Sequence, residues 1–161
     1  MLSKHKLLIS LMYGSGLRVR EVTQLRIKNF SFEENIGWVR GGKGNKDRPF
    51  IIPQKIKQEL EAACNNELHW LFPGRKGDLS VKSVQLIVKR AGLRIGLKKH
   101  VHPHMFRHSF TTHLLDSGID VNSVQSLLGH TRPETTLRYS HALKPKLIAI
   151  KSPLDDFVNK K

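Results

Sequence analysis

Apolar residues recur at helical spacing along most of this chain, and that rhythm breaks in one long stretch, between Ile36 and Pro53. There Ile36, Trp38 and Val39 lead into Gly41, Gly42, Gly44 and Asn45, after which Phe50, Ile51, Ile52 and Pro53 follow. Two short apolar runs around a glycine-rich turn predict a β-hairpin. The expected architecture is one mainly helical domain carrying a small sheet.

On the helical side, Leu7, Leu8, Leu11 and Met12 mark a first helix, Gly14-Ser15-Gly16 a tight corner, and Leu17 to about Ile27 a second helical stretch. Helical spacing returns from Ile56 to Ala63 and from Val81 to Ala91, on either side of Trp70, Leu71, Phe72 and a Pro73-Gly74 turn. From Pro103 onward three helical pieces are expected, punctuated by Gly118, Gly129 and Pro133. Pro103 suits a first helical position, where a missing N–H costs nothing, and Asp120 suits an N-cap. Beyond Pro145 a basic tail carries Leu147, Ile148, Ile150, Leu154 and Phe157.

The 161 residues suffice for one domain with its own core. Lysine and arginine number 28 against 13 acidic residues, a net charge of +15, and they are spread over the whole chain. Such an excess points to a polyanionic partner, nucleic acid first. The single cysteine, Cys64, excludes an internal disulfide framework and fits a reducing, intracellular location. No apolar run approaches the ~20 residues that span a bilayer, so no membrane role is expected.

Several segments could carry chemistry, and each is ambiguous by itself. In HPHMFRHSFTTHLL, from His102 to Leu115, Phe106, Phe110 and Leu114 form an apolar stripe, while His104, Arg107 and Thr111 share another face. A histidine and an arginine one turn apart can hold one phosphate, although a solvated polar face has the same spacing. His104 and His108 at i and i+4 invite a metal reading, but no glutamate follows His104 and no carboxylate or thiolate set completes a sphere, so no metal is expected. GLRVRE, from Gly16 to Glu21, puts a carboxylate three residues after Arg18, where it could orient a cationic or imidazole neighbour. GGKGNKDR, from Gly41 to Arg48, presents Lys43 and Lys46 on a glycine-rich turn. LLGH places His130 just past a helix closed by Gly129, and Tyr139 follows nine residues later.

Taken in order, Arg18, Lys43, His104 with Arg107, His130 and Tyr139 resemble the tyrosine recombinase and integrase family, most closely its Xer branch. The resemblance runs from about Leu8 to about Leu143. It implies a catalytic domain over residues 1–161, with a small antiparallel sheet of about three strands. It also implies that Tyr139 attacks a scissile phosphodiester, giving a 3′-phosphotyrosyl link and a free 5′-hydroxyl. Arg18 and Arg107 would stabilise the negative transition state, with His130 as a further donor. A phenol of reference pKa ~10 needs a proton acceptor, for which His104 is the candidate, with Glu21 orienting it. Lys43 would protonate the leaving oxygen, Lys46 being the weaker substitute. Arg18, Lys43, Lys46, Arg48 and Arg107 are the implied DNA contacts.

The same resemblance implies no cofactor, no ATP and no metal, duplex DNA as partner, and self-association on DNA from dimer to tetramer. The tail from about 145 to 161 would exchange between protomers, and a cytoplasmic, nucleoid-associated location follows. On this reading the family's N-terminal core-binding domain is expected to be absent. Two other readings stay open: relaxation of supercoils in the manner of a type IB topoisomerase, and a non-catalytic helix-turn-helix module over Phe110 to Leu128.

Overall fold

The computed structural model describes residues 3–41, 47–65, 69–75, 77–129 and 149–157. Lys43, Lys46, His130 and Tyr139 lie outside the described residues, as do Leu147 and Ile148.

Helix α1 spans Lys4–Gly14, begins on Ser3, whose hydroxyl accepts from the Lys6 N–H at 3.3 Å, and buries Leu7, Leu8, Leu11 and Met12 as its spacing predicts. Helix α2 is shorter than expected, Val19–Thr23. The chain leaves it early because backbone pairing takes over: the Leu71 N–H donates to Leu25 at 2.9 Å and the Ile27 N–H to His69 at 3.3 Å. Arg26 and Trp70 thereby form an antiparallel bridge.

Strands β1 (Phe30–Ser31), β2 (Ile36–Val39) and β3 (Arg48–Ile51) form a three-stranded antiparallel sheet in sequence order. The predicted hairpin is β2–β3, in register from Ile36 opposite Ile51 to Val39 opposite Arg48. Helix α3 (Lys57–Cys64) follows, then a small second ribbon of β4 (Pro73–Gly74) and β5 (Gly77–Asp78). Cys64 packs half-buried against the core, and burial, with Glu61 nearby, pushes its thiol up to about 11.

Helix α4 (Val81–Arg94) starts on Ser80, helix α5 (Pro103–Asp116) has Pro103 at its first turn, and helix α6 (Val121–Leu128) starts on Asp120, whose carboxylate accepts from the Ser123 N–H at 3.0 Å. The predicted stripe on α5 is real: Phe110 and Leu114 are buried and Phe106 packs against the core. Two apolar clusters result. One joins α1, α2, the sheet, α3 and α4, while Phe110, Leu114, Val124, Leu127 and Leu128 gather with Ile51 and Ile150 in the other.

The described part of the tail packs on its own chain. Ile150 is buried, the Ser152 hydroxyl donates to the Gly14 carbonyl at 2.6 Å, and Asp155 accepts from the Gln54 and Lys55 N–H groups at 3.1 and 2.8 Å. Phe157 stays 55% exposed. Among the described residues no helix is long and apolar enough to cross a membrane.

Candidate active site

Four charged residues from three distant segments meet where α2, β3, α5 and α6 converge. Arg18 caps α2, and its backbone N–H donates to Glu21 Oε2 at 2.7 Å while its Nη1 reaches Oε1 at 3.0 Å. A carboxylate in the first helical turn faces the positive end of the helix dipole, which favours this arrangement locally. Arg48 opens β3 and binds the same carboxylate twice, Nη2 to Oε2 at 2.6 Å and Nε to Oε1 at 3.3 Å. Arg107 stands on α5 with Nη1 3.9 Å from Oε2. Three guanidinium groups thus share one carboxylate.

The backbone completes the site. Arg107 donates from Nη1 to the Gly16 carbonyl at 2.7 Å and from Nη2 to the Leu128 carbonyl at 2.6 Å, and Arg48 donates to the Leu127 carbonyl. Leu127 and Leu128 end α6, where carbonyls lack helical partners and the dipole is negative, so cations are stabilised there. Two glycines make this possible. Gly129 closes α6 at φ +67°, and a Cβ there would lie 2.7 Å from the Arg48 Cδ. Gly16 takes φ +61°, and a Cβ there would strike the Phe110 ring at 2.5 Å. Neither position has room for a side chain.

Burial alone would push the Glu21 carboxyl up, but the charge and hydrogen bonds of Arg48, the Arg18 N–H and the charge of Arg107 hold it below the usual carboxylate range. Arg107 is pushed down to about 10 by burial and by the like charges of Arg48 and Arg18, against the pull of Glu21. It is still cationic at neutral pH. Three positive groups against one negative leave the cluster with a surplus that suits an anion. Arg18 is its accessible member, with 29% of its side chain exposed against 5% for Arg107.

Two expectations need correction. Glu21 was expected to orient His104, yet its hydrogen bonds among the described residues go to Arg18 and Arg48; His104 is exposed on the first turn of α5. Arg48, expected among the DNA contacts, is buried, as Arg107 is, and is bound to Glu21 and Leu127, so its first role is to hold that carboxylate. Strand alternation did not announce this, since residues of both parities at 50–52 are buried. The carbonyls of Gly16, Leu127 and Leu128 carried no sequence signal. Lys43, Lys46, His130 and Tyr139 lie outside the described residues.

The sequence matches the phage integrase family over residues 3–146. The chain belongs to that family. This integrase-family chain is similar to tyrosine recombinase XerA of Pyrococcus horikoshii, 41% identical over 144 residues that make up 85% of this chain and 50% of the relative. Tyrosine recombinase XerC of Pseudomonas aeruginosa is 42% identical over 141 residues, 83% of this chain and 46% of the relative. Among solved structures, XerA recombinase superposes with a TM-score of 0.69 at 28% identity, covering 91% of this chain and 62% of that one. XerH, bound to its difH substrate in a pre-cleavage complex, gives 0.68 at 30% identity, covering 88% and 45%. The family member described here thus shares the fold of solved Xer recombinases and is similar in sequence to Xer tyrosine recombinases, and it spans about half the length of the curated relatives it matches.

Proposed function

We propose that this chain is the catalytic part of a site-specific DNA recombinase that cuts and rejoins duplex DNA through Tyr139. The observation that carries this reading is the meeting of Arg18 and Arg107 on Glu21, with positive charge left over. A phosphodiester under attack gains negative charge on its non-bridging oxygens, and preformed guanidinium donors stabilise that charge without reorganising. Relatives described as recombinases, one of them solved on its DNA substrate, support the same reading.

In this mechanism the Tyr139 hydroxyl loses its proton to His104 and its oxygen bonds to phosphorus. The bond from phosphorus to the 5′-oxygen breaks, and Lys43 supplies the proton that makes that oxygen a competent leaving group. His130 adds a donor to the phosphate, and Lys46 is the lesser alternative to Lys43. Attack by another 5′-hydroxyl reverses the steps and joins strands. The phosphotyrosyl link conserves the bond energy, so the scheme consumes no ATP. Self-association on DNA extends the proposal from one active site to strand exchange, and exchange of the tail from about 145 to 161 would require its described part to leave the packing it makes on its own chain.

The test is incubation with a nicked or bubble-containing duplex, without metal, followed by denaturing electrophoresis. A protein–DNA adduct formed by the wild type and absent in Tyr139→Phe is the expected outcome. Binding without adduct in either protein, persisting when a core-binding half is supplied, would leave a non-catalytic DNA-binding role.

A further inference from the structure

On the side of the β2–β3 hairpin lies a notch of about 740 Å³, lined by Gln24, Arg26, Lys28, Arg40 and Trp70 among others. None of these residues takes part in the chemistry above. The Arg26 guanidinium sits 4.9 Å from the centroid of the Trp70 ring, and Arg40 sits 5.2 Å from that of Trp38. Stacking on an indole face fixes a guanidinium while leaving its N–H edges for an acceptor. The bridge between Arg26 and Trp70 ties both to the backbone, so the pair is held from two sides.

The charges are unequally answered. Arg40 has Asp47, at 2.5 Å. Among the described residues Arg26 and Lys28 have no carboxylate partner, so one wall of the notch carries two cations without a counter-charge. The rim ends at Gly41, two residues before Lys43 in the chain. A polyanion reaching Lys43 therefore has a cationic, aromatic-backed recess close by along the polypeptide.

We propose that this notch is a second phosphate-binding site, which holds the backbone of the duplex away from the scissile phosphate. Arg26 supplies the fork of donors and Lys28 the point charge. The inference rests on the duplex-DNA reading above. It gives the hairpin flank an anchoring role that adds affinity and fixes register without reading bases.

Duplex binding by fluorescence anisotropy at several salt concentrations tests it. Each phosphate neutralised contributes roughly 0.9 to the slope of log affinity against log salt. The slope should therefore fall by about 0.9 in Arg26→Gln/Lys28→Gln, which empties the one site, and by no more than that in Arg26→Gln. Arg26→Lys should keep the slope and lose affinity about tenfold, since the charge remains but the stacked fork is gone. Lys82→Gln/Lys89→Gln on the exposed face of α4 removes the same charge elsewhere and should leave the slope unchanged. An unchanged slope in the notch variants, or an equal fall in the α4 pair, overturns the notch while leaving the recombinase reading intact. Failure of the wild type to bind any duplex overturns both.

Discussion

Arg48 grips Glu21 through two hydrogen bonds, at 2.6 and 3.3 Å, across 27 residues of sequence, and both side chains are almost fully buried. This pair places the carboxylate between Arg18 and Arg107. It therefore sets the spacing of the two guanidinium groups proposed to hold the scissile phosphate.

Removing the shared anion should be costly. Glu21→Gln keeps the shape but leaves three guanidinium groups without their counter-charge, and losing one partner of a buried pair typically costs on the order of 3–5 kcal/mol. Urea denaturation should show that loss. Arg48→Met, which exchanges a charge for an apolar chain of similar length while Arg18 and Arg107 still serve Glu21, should lose less.

Acid should act through the same carboxylate. Its folded pKa lies below the ordinary value of 4.5, so its stabilising contribution is complete above that value and is lost as pH falls through the lower folded one. Denaturation midpoints measured from pH 7 to pH 3 should decline in the wild type below about pH 4.5. The Glu21→Gln protein should show a shallower decline over the same window.

The Arg107 fork holds two carbonyls at once, Gly16 and Leu128, which a lysine ammonium on a single stem cannot reproduce. Arg107→Lys should slow adduct formation on a nicked duplex by about 10²–10³-fold, the range seen when one preorganised transition-state donor is lost. Single-turnover adduct kinetics would measure this. A rate equal to wild type would remove Arg107 from the phosphate-binding set.

Gly16 and Gly118 separate backbone strain from collision. Both have positive φ, at +61° and +81°, but only Gly16 has a neighbour in the way, the Phe110 ring. Gly118→Ala should cost about 1–2 kcal/mol from conformation alone. Gly16→Ala should cost more, lower the thermal midpoint further and disturb the Arg107 carbonyl partner; equal shifts in the two variants would contradict the close packing at Gly16.

The elements of this fold were largely legible in the chain because their causes are local. Apolar spacing, Pro103 at a first turn, Asp120 as a cap and the glycine-rich break between Ile36 and Pro53 act within a few residues, and the structure has α1, α5, α6 and the β2–β3 hairpin where they point. Helix α2 departs from this, stopping at Thr23 because backbone pairing with residues 69–71 captures its expected continuation, and Pro73-Gly74, expected as a turn, pairs as β4. The site divides along the same line. Arg18, Glu21 and Arg107 stood out as residues, and the family resemblance set Arg18 and Arg107 on one phosphate, but their meeting with Arg48 on Glu21 did not stand out. Burying a carboxylate demands compensating charge, and that charge comes from Arg48, 27 residues away, and Arg107, on another helix, with α6's terminal carbonyls as backing. Residue types and helical rhythm were properties of the sequence alone. Which cation is buried against which anion was decided by tertiary structure, because desolvation is felt only once the chain has closed around the group.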